Sequence, residues 1–477
     1  MQLRARLTAS LLALPALLGL LALFPASCFA AEIDGRLLTA WWGIPFAGLL
    51  LCIALCPLFT PALWHHHFGK IALGWALAFL LPCAAFFGAG TAVGGAAHAF
   101  LAEYLPFIIL LTALFVVAGG ICVQGNLHGT PALNTAILAI GTVLASFMGT
   151  TGASMLMIRP MIRANDDRKH VVHVIVFFIF LVSNAGGSLT PLGDPPLFLG
   201  FLKGVDFGWT IRNIFPETLF LCAALLVIFF LLDQHFYGKE DERLAQDPTP
   251  DTRLSFTGKI NFALLAVIVG LVLMSGVWKP GIAFHVAGVE VELQNLVRDL
   301  LLLVVIGVSM AATPAAARKG NEFSWGPIQE VGKLFAGIFI TIIPVIAMLR
   351  AGEAGAFAPV VRAVTDSAGQ PVNAMYFWAS GFLSSFLDNA PTYLVFFNTA
   401  GGDPAVLMTR LGETLAAISC GSVFMGANSY IGNAPNMMVK SIAEERGIRM
   451  PSFFGYMAWS GAVLVPLFIL MTFIFFR

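Results

Sequence analysis

The sequence predicts an all-α polytopic membrane protein. About ten transmembrane helices plus two re-entrant hairpins are expected, in an inverted-topology repeat with broken helices. Three observations predict it. Of 477 residues, 58% are hydrophobic and only 11% charged, against about 25% charged in a soluble domain. Ten apolar stretches are long enough to cross a bilayer. Interruptions by Gly, Asn, Asp and Pro recur at nearly the same spacing in the two halves.

Composition also excludes classes. Twenty-six basic residues balance 26 acidic ones and form no basic stripe, which argues against nucleic-acid binding, and the apolar excess argues against a soluble enzyme or a disordered chain. The seven cysteines, at 28, 52, 56, 83, 122, 222 and 420, show no C-x-x-C or zinc spacing. They read as small residues of membrane helices.

Arg4 and Arg6 precede an apolar run from Leu11 to Phe24 and small residues ending at Ala30-Ala31. Residues 1–30 therefore read as a signal peptide or an uncleaved first helix, and residues 32–41 fall outside. A crossing needs about 20 apolar residues for a ~30 Å hydrocarbon core. The candidates are 42–60, 71–95, 101–123, 171–202, 214–236, 257–278, 297–313, 334–350, 411–438 and 453–476. Stretches 133–163 and 373–400 are broken at their centres into arms of about 15 residues, or roughly 22 Å each. Such arms reach past the midplane without crossing, so both are expected to be hairpins.

This threading places 17 of the 26 basic residues inside, among them Arg159, Arg163, Arg168, Arg318, Lys440 and Arg446, as the positive-inside rule requires. The first repeat is expected over 42–236 and the second, inverted, over 257–476, joined by a polar cytoplasmic linker at 237–260. Gly193-Asp194-Pro195-Pro196 and Gly432-Asn433-Ala434-Pro435 coincide at an offset of 239, while the hairpin centres Thr151-Gly152-Ala153 and Asp388-Asn389-Ala390 coincide at 237. Inverted repeats with broken helices mark secondary transporters, with a site near the midplane where the repeats meet.

The run from Ser183 to Pro196, SNAGGSLTPLGDPP, breaks an apolar span. Carbonyls at the end of the first half-helix suit a cation, and amides at the start of the second suit an anion. Asp194 is placed to cap that second half-helix, since Pro at its first positions loses no needed donor. The second copy, through Asn428, Asn433 and Asn436, offers neutral ligands only. Asp388 stands at the second hairpin tip in Leu387-Asp388-Asn389-Ala390-Pro391-Thr392. An intramembrane carboxylate is functional by default; a cap alone is the simpler reading of each.

In these motifs the chain resembles the ion-transporter superfamily, which includes NhaD-type sodium/proton antiporters, arsenite-efflux proteins and citrate or dicarboxylate carriers. The similarity covers most of the chain from residue 42 and is closest in 183–197 and 387–392. The resemblance implies a homodimer, a scaffold domain and a mobile domain. Transferred to matching positions, it implies ion or substrate contacts at Thr150, Thr151, Gly152, Ala153, Ser183, Asn184, Thr190, Asp194, Asp388, Asn389, Thr392, Asn428 and Asn433. Several branches carry Asn or Asp at the first hairpin tip, where this chain has Thr150-Thr151.

Two carboxylates, Asp194 and Asp388, converge on the expected site, and no Lys or Arg lies within 171–202, 373–409 or 411–439, which favours a cation or proton there. The leading expectation is Na+/H+ antiport across a bacterial-type inner membrane, with Na+ at Asp194, Asn184, Asp388 and Asn389. Asn in place of either carboxylate is expected to abolish transport. The alternative is Na+- or H+-coupled uptake of citrate-like di- or tricarboxylates, because helix N-termini can hold carboxylates without Arg. An intramembrane aspartyl protease would need Gly where Pro191 stands. The expected partners are lipid and a small ion or organic anion, with no cofactor beyond the coupling ions.

Overall fold

Each half of the chain has the same succession of elements: three helices, a helix-turn-helix hairpin, a broken helix and a closing helix. The computed structural model describes residues 33–125, 127–240 and 252–477; the signal-like segment and the middle of the 237–260 linker lie outside them. In the first half, α1 (Ile44–Phe59), α2 (Pro61–Phe87) and α3 (Ala89–Ala118) are followed by the hairpin α4 (Pro131–Met148) and α5 (Thr150–Ala164). The broken helix is α6 (Val172–Leu181), a 3-10 turn at Ala185–Leu189 and α7 (Pro195–Leu202), and α8 (Trp209–Tyr237) closes the half.

The second half runs α9 (Ile260–Val277), α10 (Leu293–Ala312) and the pair α11 (Gly326–Thr341) and α12 (Ile343–Arg350). The hairpin is α13 (Asn373–Phe386) and α14 (Asn389–Thr399). The broken helix is α15 (Gly412–Phe424), a 3-10 turn at Met425–Asn428 and α16 (Ala434–Glu445), and α17 (Phe453–Phe475) is last. Among the described residues, nine helices are long and apolar enough to cross a membrane, or ten if α11 and α12 count as one bent span. The protein is an all-α polytopic membrane protein.

Several boundaries differ from the sequence reading. The expected crossing at 71–95 is the later part of a 27-residue helix, α2, that starts at Pro61 and ends before Gly88 at φ 92°. His65, His66 and His67 lie on this helix. The first hairpin turns at Gly149 (φ 82°), two residues before the expected centre, so its first arm has 18 residues and reaches about 27 Å. α11 and α12 bend by 42° at Ile342, next to Pro344, which removes a ladder hydrogen bond. Two small β pairs were not anticipated. β1 (Cys122–Gln124) pairs antiparallel with β2 (Ser255–Thr257), tying the two halves together, and β3 (Ala283–Val286) pairs with β4 (Val289–Glu292).

The broken helices form the core. Of the span Val172–Leu189, 89% is buried, against 22% for the best windows of α2, α9 and α10. Phe177, Phe178 and Phe180 are all fully buried packing residues, and the lipid-facing surface falls to the outer helices instead. At the basic end of the first hairpin, Asp233 of α8 binds Arg168 (2.6 Å), His173 (2.8 Å) and Asn134 (3.0 Å), all buried. Asn134 and Asn165 exchange amide bonds of 2.8 and 2.9 Å across the hairpin. His173 is thus part of a buried polar cluster around Asp233 that anchors both hairpin arms to α6 and α8.

On the same face, Glu322, in the loop before α11, pairs with Arg159 of α5 (2.9 Å) and Arg446 beyond α16 (2.8 Å). Its φ of 50° is unusual for a residue with a side chain. The Arg159 guanidinium hydrogen-bonded to Glu322 holds its carboxyl below the usual range. At the other face, Lys203 beyond α7 pairs with Glu103 of α3.

Candidate ion and substrate site

Four half-helices begin at one carboxylate. Asp194 holds the N-cap position of α7, yet its side chain makes no capping bond. Its oxygens turn outward to other elements. Thr150, the first residue of α5, donates its hydroxyl to Oδ1 at 2.9 Å. Asn389, the first residue of α14, donates its amide to Oδ2. Asn433, the N-cap residue of α16, lies 3.3 Å from Oδ1 and also reaches Ser183 O (3.1 Å) and Asn184 Oδ1 (3.2 Å). Asp194 is 2% exposed. The expectation that it serves as a cap is corrected: Pro195 and Pro196 bring no N–H to be capped, which leaves the carboxylate free for its neighbours.

The backbone of the breaks requires glycine. A Cβ on Gly193 would lie 2.2 Å from Gly187 O, and one on Gly432 would lie 2.5 Å from Gly426 O. These close approaches fold each break back on itself and aim the following half-helix at the centre. Thr150 N also donates to Gly193 O (2.8 Å), joining the first hairpin tip to the first break.

Two hydrogen bonds between hairpin and break recur atom for atom in the two halves. Ser146 Oγ donates to Gly186 O (2.5 Å), and Ser385 Oγ to Met425 O (3.1 Å). Thr190 Oγ1 donates to Ser146 O, and Ser429 Oγ to Ser385 O. Each residue and its counterpart are 239 apart, as are Asp194 and Asn433, or Thr150 and Asn389. The hairpins thus share the offset of the breaks, and the 237 read from the sequence is corrected by two residues. The shift moves the contact at the first tip from Thr151 to Thr150; Thr151 is half-buried and bonds to nothing in this cluster.

The other expected residues separate into two groups. Asn389 and Asn433 bond to Asp194, and Ser183 and Asn184 join it through Asn433, with Asn184 also donating to Asn436 Oδ1 (2.7 Å) and Ser183 Oγ paired with Ser154 Oγ (2.9 Å). Asp388, Thr190 and Thr392 hold backbone. Asp388 Oδ1 caps α14 by accepting from Ala390 N (3.0 Å), and Thr392 bonds back to Asp388 O. The two carboxylates are not joined by a hydrogen bond, and Asn389 rather than Asp388 meets Asp194. Asn428 donates to Ser385 Oγ (2.9 Å) on the far side of the second hairpin.

Unpartnered acceptors remain. Asn389 Oδ1, Asn428 Oδ1 and Ser422 Oγ are buried without a hydrogen-bond partner. Asn389 Oδ1 belongs to the amide already on Asp194, so carboxylate and amide oxygens are available together. Such hard oxygen donors suit an alkali cation. Among the described residues, no three His, Cys, Asp or Glu side chains group as metal ligands. The four half-helix N-termini carry about +0.5 charge each, and the four C-terminal ends nearby about −0.5 each. These partial charges oppose one another, and among the described residues no Lys or Arg bonds to the cluster, so its ionisable groups are the carboxyls of Asp194 and, at the start of α14, Asp388.

Sequence reasoning did not single out Ser146, Ser154, Ser385 or Glu217. The matched Ser146 and Ser385 become visible only once the hairpins are aligned at 239. Glu217 was visible as one of two acidic residues, with Asp233, inside the apolar span 214–236.

Paired hairpins and broken helices, converging from both halves of a polytopic chain on a buried polar cluster, define a membrane transporter rather than an enzyme. The chain belongs to the family described as "Putative citrate transport", whose model matches residues 35–476. It is similar to uncharacterized transporters of Mycobacterium bovis and Mycobacterium tuberculosis, each 24% identical over 360 residues, covering 73% of this chain and 77% of theirs. It is also similar to a Na(+)/H(+) antiporter NhaB of Serratia proteamaculans, 24% identical over 62% of this chain and 56% of that one.

Proposed function

We propose that the protein is a cation-coupled secondary transporter that exchanges Na+ for H+ at Asp194. The observation that carries this reading is the carboxylate itself. It is buried, free of any cap, contacted by neutral groups from the other three converging half-helices and accompanied by the unpartnered Asn389 Oδ1. A negative charge at such a point is stabilised by a bound cation or a proton. The two compete, because protonation removes the charge that attracts Na+. Asn184 Oδ1, Ser183 O and Asn389 Oδ1 are the further oxygens within this cluster. The NhaB similarity supports the same reading.

Coupled uptake of a citrate-like anion is the second reading, favoured by the family match and by the helix N-termini meeting at the site. Sodium binding to purified protein across pH tests the first. Apparent Na+ affinity is expected to weaken by up to about tenfold per pH unit once the carboxyl protonates. An affinity independent of pH would overturn simple exchange at Asp194.

A further inference from the structure

A second carboxyl lies in the membrane core outside the cluster just described. Glu217 belongs to α8, eight residues from the helix start at Trp209, or about 12 Å along the axis. It is 7% exposed, and its Oε2 is buried with no hydrogen-bond partner. Its neighbour Thr218 meets Ser188 of the first break, hydroxyl to hydroxyl, at 2.7 Å. Glu217 therefore stands on the helix that packs behind the break carrying Asp194.

Among the described residues, no Lys, Arg or His pairs with it. The elements packed against α8 are α4, α6, the 185–189 turn, α15 and α17, and their titratable groups are His173, Glu413, Cys420 and Tyr456. His173 is bonded to Asp233 at the far end of α8, Glu413 to Asn373, and the Tyr456 hydroxyl to Ala427 O. Cys420 of α15 is the one that interacts electrostatically with Glu217, and a thiol supplies no positive charge. On α8 itself, Asp233, His235 and Tyr237 lie at the opposite end and Arg212 is exposed. An ionised carboxylate left in such a place, with one oxygen unsatisfied, would cost several kcal/mol.

We propose that Glu217 is a proton-binding site, a carboxylic acid that holds its proton in the conformation seen here, independently of Asp194. The bound species is H+ alone, taken from water and returned to it when the contact between α8 and the first break opens. The chain then has two titrating intramembrane carboxyls in its first repeat, one at the junction of the half-helices and one behind it. This inference does not depend on sodium exchange: a protonated Glu217 holds whether the cargo is a cation or an anion.

Infrared spectroscopy of the full chain in lipid nanodiscs at neutral pH tests it, through the C=O band of protonated carboxyls. Labelling the parent with 13C-glutamate is expected to shift such a band, which aspartate cannot do. Glu217→Gln is expected to lose it, and Asp194→Asn to keep it. If Glu217→Gln does not fold, the labelled parent decides alone. A band that fails to shift with labelled glutamate, or that persists in folded Glu217→Gln, would overturn the proposal.

Discussion

At the scale of the residue, the account rests on the difference between Asp194 and Asp388. Both precede a helix start, and in sequence they look alike. Asp388 satisfies its own helix through Ala390 N, while Asp194 leaves its helix uncapped and binds three others. Asp194→Asn is therefore expected to stop transport while leaving the fold intact. The new amide can donate to Asn389 if that side chain turns its unpartnered Oδ1 inward, so the bond between first break and second hairpin survives. Thermal unfolding in detergent should move by no more than about 1 kcal/mol equivalent. Asp388→Asn preserves the cap and is expected to reduce the transport rate less than tenfold, in contrast to the equal loss expected from sequence. Equal loss in both variants would show that the two carboxylates act together. The sequence made both acids legible because a charge in an apolar run is conspicuous. Which of them faced the junction depended on hydrogen bonds to residues 44 and 195 positions away, and no local pattern reports those.

At the scale of the element, the breaks depend on glycine contacts that a single methyl group would obstruct. Gly193→Ala places Cβ against the Gly187 carbonyl, which is backbone and cannot turn away. A loss of about 1–3 kcal/mol, the usual range for overpacking, is expected in detergent unfolding, with Gly432→Ala behaving alike. Gly270→Ala in α9 meets nothing within 4 Å and should stabilise by about 0.5–1 kcal/mol as an ordinary helix substitution. If all three behave alike, the close approach is not what shapes the breaks. The Glu322 clasp makes a separate prediction. Its carboxyl titrates below the usual range because Arg159 stabilises the charged form, so its contribution is present at neutral pH and lost as pH falls through that lowered value. Glu322 is half-exposed, so the effect on overall stability is under about 1 kcal/mol. Amide exchange at residues 320–325 is the sensitive readout, and Glu322→Gln should raise it at neutral pH to the level the parent reaches in acid. Breaks and hairpins were legible from Gly, Asn and Pro inside apolar runs. The burial of α6 was not, because hydropathy is equally high for a helix facing lipid and one packed among other helices.

At the scale of the whole molecule, hydrogen bonds between hairpin and break recur in the two halves at an offset of 239. The count of helices followed from the apolar stretches, since every backbone group in a bilayer must be satisfied within helices or closed barrels. The β3–β4 pair was invisible because residues 283–292 alternate too briefly to stand out from a loop. An inverted repeat requires the two halves to thread the membrane in opposite directions. A reporter fused at Arg477 is expected to be active outside the cytoplasm, and activity only inside would contradict both the threading and the inversion. The central claim is that the junction built by this repeat carries a cation at Asp194. Its most direct test is ion flux in proteoliposomes containing the parent or Asp194→Asn, with a pH-sensitive dye inside and no organic anion present. The account predicts that an imposed Na+ gradient drives protons the opposite way in the parent and not in the variant. Proton movement that is absent from the parent until citrate is added, with labelled citrate accumulating alongside it, would contradict sodium–proton exchange and leave anion uptake in its place.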